Sequence, residues 1–549
     1  MSSDAETRPA LSPRTRAEDV RHSWWLWLAL EIPLLCLAGW RNFDNIFYDT
    51  VAYLRIARYY AEGRLDLAIN GYWGPLLSWL MAPLLAITHD HLLTTRLVMG
   101  ASGLAFFCAG IRLLRSLDLP PGGPTLAAAL LVPFSVCWSV ARATPDLLMA
   151  SLVLVGLAET LARHPNGAGR RPLLAGLAYG AAYLAKSVAL PTTLGLVGAL
   201  ALVRWLTGAA PGRAIARSAA WCVCGIAVMV APWVLVLSLH YGAPTISTSA
   251  AIAHAVVGPG NPDRFHPLHH VFQTPEPGRI TTWEDPGGMR YSYWSPFGST
   301  DALRYQVALA AQNAIDVATR VGGFDWLRLG LVSALAGFLL LARPGRALRD
   351  QRWRFAAPVI AVAAAPYVAS YPSETRYYLI VYPLLLAAVT GFLLQDVVDG
   401  QAATGPVRSR LRAVAAALII GSFVVGLRHE LADALAGETD PAYRTARALA
   451  PVLTATGEPG ALISVDDQSV AYFAAYLLDW PFYGDKIVPT QPDEVAGTGA
   501  RFLVTRRATP FAQALERQRP AFLQPLPTPL RAPVAVYRID TPERADQRR

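Results

Sequence analysis

The sequence predicts a polytopic α-helical membrane protein of about eleven spans, followed by a small C-terminal external α/β domain. Three observations predict it. Of the 549 residues, 53% are hydrophobic and only 16% charged, where an ordinary soluble chain carries about 25% charge. Apolar runs of near-spanning length succeed one another from Trp24 to Leu427. Arginines gather in alternate gaps between those runs, as loops on the cytoplasmic side of a membrane do.

A spanning helix takes roughly 17–25 apolar residues. The candidates run Trp24–Trp40, Leu92–Leu114, Thr125–Val140, Leu147–Leu161, Leu173–Leu190, Thr192–Trp205, Ala219–Leu239, Phe324–Leu341, Phe355–Ser370, Tyr377–Leu394 and Ala413–Leu427. The first has no small-residue cleavage site after it and reads as a retained helix rather than a signal peptide. Leu76–Ile87 is too short to cross, and Pro75 and Pro83 interrupt it, so it reads as an interfacial or re-entrant helix. Arg8, Arg14, Arg16 and Arg21 precede the first span, and Arg112 and Arg115 follow the second. Arg163, Arg170 and Arg171 follow the fourth, and Arg204, Arg213 and Arg217 the sixth. Arg343, Arg346, Arg349, Arg352 and Arg354 follow the eighth, and Arg408, Arg410 and Arg412 precede the last. The alternation predicts a cytoplasmic tail over 1–23 and a membrane domain over 24–427. The loops 41–91 and 241–323 and a terminal domain over 428–549 then fall outside.

The terminal domain alternates helical and strand patterns. Asp440–Thr454, Ser469–Leu478 and Phe511–Gln518 read as helices, and Ala461–Val465, Arg501–Thr505 and Val534–Ile539 as strands. The net charge is +9, yet no compact basic run with interleaved aromatics appears, so nucleic acid is not an expected partner. All five cysteines lie in apolar spans, which leaves no disulfide framework or zinc pattern. His254, His266, His269 and His270 share the long loop, but their spacing is not that of a metal site. No cofactor is expected, with a divalent metal as the open alternative.

Ionisable residues against apolar spans are costly and usually mark function. The first external loop carries Tyr48, Asp49, Arg55, Arg58 and Glu62, then the turn Asn70-Gly71-Tyr72-Trp73. Arg55, Arg58 and Glu62 stand three and four residues apart, which places them on one face of an amphipathic helix lying on the membrane. Asp146 follows Pro145 at the start of the fourth span, Lys186 interrupts the fifth, and Arg376 precedes Tyr377 at the tenth. In the predicted topology all of these face outward. Each also has a plainer reading. Asp49 and Asp146 are good helix-start residues, Lys186 can snorkel to the interface, and Arg376 can pair with Glu374.

In order along the chain, these segments resemble GT-C glycosyltransferases, the superfamily of protein O-mannosyltransferases and lipid A aminoarabinose transferases. The resemblance rests on Tyr48-Asp49, Ala57-Arg58-Tyr59-Tyr60-Ala61-Glu62-Gly63, Asn70-Gly71-Tyr72-Trp73 and Pro75-Leu76 in the first loop. It continues through Thr95-Arg96-Leu97, Ala143-Thr144-Pro145-Asp146-Leu147-Leu148, Tyr183-Leu184-Ala185-Lys186 and Arg376-Tyr377-Tyr378. It implies an inverting transfer of a sugar from a polyprenyl-phosphate donor to an external acceptor, at the outer face of a bacterial inner membrane. It implies Asp49 as general base, assisted by Asp146, with Lys186 and Arg376 holding the donor phosphate. Tyr48, Tyr72, Trp73, Tyr377 and His266 are expected to line the substrate groove. The chain departs from the family twice. Thr50 stands where a second acid is usual, and Gly74-Pro75-Leu76 stands for a Lys-Pro-Pro segment of the aminoarabinose branch. Arg55 and Arg58 are the expected substitutes for that missing cation. Two rival readings remain: a transporter or flippase for lipid-linked sugars, and an oligosaccharyltransferase or ligase of the same fold.

Overall fold

The protein is described here as a computed structural model over residues 13–117, 119, 123–162, 169–321, 351–371, 374–387, scattered positions from 410 to 421, and 428–540 without 438, 468, 489 and 529–531. Its first helices are α1 (Pro13–Arg41), α2 (Tyr48–Ala61), α3 (Leu65–Ala68), α4 (Pro75–Thr88), α5 (His91–Arg115), α6 (Gly123–Ala141) and α7 (Asp146–Leu161). Then come α8 (Arg170–Ala185), α9 (Ala189–Leu206), α10 (Gly212–Tyr241), α11 (Ser249–Val256), α12 (Thr300–Val321) and α13 (Gln351–Ala369).

Among the described residues, α5, α9 and α10 are long and apolar enough to cross a membrane, and the apolar helices Thr125–Ala141 and Arg354–Ala369 are shorter. Their ends follow local chemistry. Asp90 accepts from the backbone N–H groups of Leu92 and Leu93 to open α5, and Arg112 and Arg115 sit at its carbonyl end. At 14 residues, α4 spans only about 21 Å, which fits an interfacial or re-entrant helix better than a span. The expected spans Phe324–Leu341 and Ala413–Leu427 lie outside the described residues, apart from scattered positions in the second. Of Tyr377–Leu394 only the part to 387 is described, with 381–387 helical.

Two expectations change. The span expected over Leu173–Leu190 breaks: α8 ends at Ala185, Lys186 adopts an extended backbone, and α9 starts at Ala189. An ammonium and a serine midway in an apolar run give the chain polar groups that favour a break there. The helix expected to lie open on the membrane, α2, is instead covered. Asp49 through Ala57 are all buried, because the long loop and the terminal domain close over it. Arg55 tolerates that burial through ion pairs to Glu284 (3.4 Å) and Asp479 (2.5 Å), both remote in sequence.

The terminal domain holds α14 (Pro441–Thr454), α15 (Val470–Leu478), α16 (Pro492–Ala496) and α17 (Pro510–Gln518). They flank a five-stranded sheet of β1 (Leu462–Val465), β2 (Phe482–Lys486), β3 (Phe502–Arg506), β4 (Leu523–Pro525) and β5 (Val534–Ile539). The spatial order is β2-β1-β3-β5-β4. β1 runs parallel to β2 and β3, while β5 is antiparallel to both β3 and β4. α15 is the crossover between β1 and β2, as a parallel pair requires. β2, β4 and α16 were not among the expected elements.

One buried acid makes this domain pH-sensitive. Burial, partly offset by a hydrogen bond from Ser464 (2.8 Å), pushes Asp485 up to about 7. The folded chain therefore holds this proton more tightly than the unfolded chain does. Its contribution is fully present below about pH 4 and is lost as pH rises through 7, by up to roughly 4 kcal/mol. Asp485→Asn keeps the acceptor for Ser464 and removes the charge. The variant is expected to unfold at a higher temperature than wild type at pH 8 and at a similar one at pH 4, read by thermal unfolding at both.

Candidate active site

Four ionisable side chains from four distant segments meet at one place. Asp49 sits in the first turn of α2, whose start is pinned by the Thr50 hydroxyl donating to the Ala143 carbonyl at 2.8 Å. That bond brings α2 against the turn leading into α7, which begins at Asp146. The break after α8 presents Lys186, whose Nζ donates to Asp146 Oδ1 at 2.6 Å. Arg376 comes from a short 3₁₀ turn, Thr375–Tyr378. Its Nη2 donates to Asp49 Oδ2 at 2.9 Å, and its Nε lies 3.7 Å from Asp146 Oδ2. The result is a continuous chain, Asp49–Arg376–Asp146–Lys186.

The chain is largely buried, and partly open at its Lys186 end. Side-chain exposure is 10% for Asp49, 7% for Arg376 and 2% for Asp146, but 25% for Lys186. Two acids face two cations, so the cluster is neutral overall. Arg376 Nη1 is buried without a hydrogen-bond partner among the described residues. A buried guanidinium N–H left unpaired is costly, and an anionic oxygen would satisfy it.

Aromatic side chains wall the cluster. The Lys186 ammonium lies 4.1 Å from the centroid of Tyr377, and Arg376 lies 5.6 Å from the same ring. Tyr367 stacks on Tyr377, with ring centroids 4.9 Å apart. On the Asp49 side, Trp283 Nε1 points at Asp49 Oδ1 at 3.4 Å. Tyr72, Trp73 and His266 pack around Trp283, with centroids 5.9, 5.5 and 4.8 Å away. Burial, then the neighbouring His269, holds His266 down at about 3, so its ring is neutral at pH 7. Tyr48 is half-buried beside Asp49 and lines a small void with Trp283, Tyr472 and Asp485.

Arg55 and Arg58 are placed elsewhere. Arg55 pairs with Glu284 and Asp479, and Arg58 with Glu62 (2.6 Å) and Asp479 (3.4 Å). Position 74 has no room for a side chain. A Cβ built on Gly74 would lie 2.3 Å from the Ala185 carbonyl oxygen. The backbone that delivers Lys186 occupies that space.

Two solved proteins share this architecture at low sequence identity. ArnT from Cupriavidus metallidurans, solved bound to undecaprenyl phosphate, is 15% identical, with 94% of this chain and 98% of that chain covered and a TM-score of 0.52. The Archaeoglobus fulgidus oligosaccharyltransferase in its apo form is 11% identical, covering 87% and 69%, with a TM-score of 0.53. The same archaeal enzyme, AglB, in complex with an inhibitory peptide and a dolichol-phosphate, gives 10%, 88%, 69% and 0.52. The chain has the GT-C fold. No family model and no curated protein matches the sequence.

Within this GT-C fold, one residue of the long loop matters that sequence reasoning passed over. Glu284 is fully buried and accepts from the Tyr59 hydroxyl (2.6 Å) and the Ile280 backbone N–H (2.9 Å), beside Arg55. Burial, opposed by Arg55, raises its pKa. Its backbone carbonyl accepts from Asn70 Nδ2 at 2.6 Å. Glu284 thus ties the loop to α2 and to the Asn70 turn, and so sets Trp283 against Asp49. Among the described residues of the GT-C chain, no group of three or more His, Cys, Asp or Glu side chains is arranged to hold a metal ion.

Proposed function

We propose that this chain is a membrane-embedded inverting glycosyltransferase that moves a sugar from a polyprenyl-phosphate donor to an acceptor hydroxyl. The observation that carries the reading is the largely buried chain Asp49–Arg376–Asp146–Lys186, in which Arg376 Nη1 has no hydrogen-bond partner among the described residues. Similar proteins solved with undecaprenyl phosphate and with dolichol-phosphate support it. The acceptor oxygen attacks the anomeric carbon as the bond from that carbon to the phosphate oxygen breaks. The acceptor proton passes to Asp49, and polyprenyl phosphate leaves with the bonding pair. Lys186 and Arg376 stabilise the charge that develops on the leaving phosphate. Asp146 orients both cations and keeps them charged in a site with little water. Tyr72, Trp73, Tyr377, Trp283 and neutral His266 offer flat surfaces and hydrogen bonds for the sugar. The site faces the outside of a bacterial inner membrane in this reading, with the terminal domain above it.

Reconstituted protein supplied with polyprenyl-phosphate sugars is expected to form a glycosylated acceptor. The same protein given nucleotide sugars or polyprenyl-pyrophosphate oligosaccharides is expected to form none. Product from the pyrophosphate donors alone would favour an oligosaccharyltransferase, and movement of the lipid-linked sugar without product would indicate a flippase. Lys186→Met removes one charged contact to the donor and is expected to raise the donor KM by about 10–10²-fold, with a smaller fall in kcat. Steady-state kinetics on donor concentration reads that split.

A further inference from the structure

The end of the helix bundle opposite Asp146 carries a second charged cavity, which the proposed transfer does not use. Asp146 opens α7 and Glu159 lies near its other end, roughly 20 Å along the axis. There a cavity of about 220 Å³ opens between α7, α8, α9 and α10. Glu159, Arg171 and Arg204 supply polar lining, and Leu200, Ile215 and Cys222 supply apolar lining. That volume is enough for a compact headgroup.

Charge at this cavity does not balance. Glu159 is 5% exposed and is paired with Arg112 and, at 3.4 Å, with Arg171. Arg204 donates to the Thr160 carbonyl, which is neutral. Glu159 therefore meets two guanidinium groups and Arg204 meets no carboxylate among the described residues, so one negative charge stands against three positive ones at this end. Arg170, Arg213 and Arg217 add exposed positive charge early in α8 and α10. Trp205 (63% exposed), Leu206 (68%) and Trp221 (43%) present bare apolar surface at this same end of α9 and α10. Exposed tryptophans next to arginines are what a membrane interface selects, and a basic pocket between helices at such an interface suits an anionic headgroup.

We propose that this cavity binds the phosphate of an anionic phospholipid, with Arg171 and Arg204 on the phosphate and the acyl chains lying outside along the exposed apolar faces of α9 and α10. Free phosphate shares the charge but gains nothing from those faces. The inference is independent of the reaction at Asp49.

Native mass spectrometry of the full chain, offered phosphatidylglycerol or phosphatidylcholine in mixed micelles, tests it. Phosphatidylglycerol is expected to be retained selectively. Arg171→Gln combined with Arg204→Gln is expected to weaken retention by 10-fold or more, at about five-fold per charge, whereas Lys186→Met leaves it unchanged. Equal retention of the two lipids, or unchanged retention in the double variant, would overturn the proposal. So would displacement of phosphatidylglycerol by millimolar inorganic phosphate, which would mark a bare phosphate site. Should the double variant fail to fold, lipid selectivity and phosphate competition in the wild-type chain decide alone.

Discussion

Asp49→Asn is expected to lower sugar transfer by roughly 10²–10⁴-fold, the usual worth of a positioned general base. Asparagine has nearly the same shape, and its carbonyl oxygen can still accept from Arg376 Nη2, which lies 2.9 Å from the native carboxylate. It cannot take the acceptor's proton. A modest fall in unfolding temperature is expected, because the buried pair loses one charge while the amide still accepts from Arg376 and Asp146 remains its charged neighbour. The loss should fall on kcat rather than on donor KM, because the phosphate contacts remain. A radiolabelled transfer assay measures the rate, and wild-type turnover in this variant would remove the proposed mechanism.

Arg376→Met is expected to cost both fold and function. The guanidinium lies between two buried carboxylates, and its removal leaves Asp49 and Asp146 with Lys186 alone. Breaking a buried pair from one side typically costs about 3–5 kcal/mol, so a large fall in unfolding temperature should accompany loss of transfer. Arg376→Lys separates the two effects. It restores a positive charge but not the fork that reaches both acids. The lysine variant should fold nearly as well as wild type and still transfer poorly. An unfolding temperature unchanged in Arg376→Met would show that the cluster is not coupled as its geometry implies.

How far the site was legible follows from where its charges sit. Asp49, Asp146, Lys186 and Arg376 each interrupt or abut an apolar run, and a charge there stands out in sequence. Their proximity did not stand out, since 327 residues separate Asp49 from Arg376. Glu284 carried no signal of its own. It lies in a loop without periodicity, and its role depends on reaching Tyr59 across 225 residues. Arg55 and Arg58 looked available because Asp479, which ends α15, reads only as a helix terminus. In the terminal domain, β1, β3 and β5 are dominated by apolar and β-branched residues and were readable. β2 is Phe-Tyr-Gly-Asp-Lys and was not. Its Gly484 has φ 124, and a Cβ there would lie 3.0 Å from the carbonyl oxygens of Leu268 and Val271. The glycine that weakens strand propensity is what lets the long loop pack against the sheet.

The position of α2 has a functional consequence. Had it lain open on the bilayer, Asp49 would have faced water and lipid headgroups. Under the loop and the terminal domain, its carboxylate is only 10% exposed and Trp283 stands over it. In the proposed transfer, a base in that setting is shielded from competing water, which limits hydrolysis of the donor.

The most direct measurement compares binding of a polyprenyl phosphate with that of the matching polyprenol to the purified wild-type chain in detergent. Both share the greasy tail, and only the first carries the group that Lys186 and Arg376 are proposed to hold. Tighter binding of the phosphate by at least about 10²-fold, as two charge-assisted contacts provide, is the predicted result. Equal affinity for the two lipids would contradict the assignment of this cluster to a phosphate-linked donor.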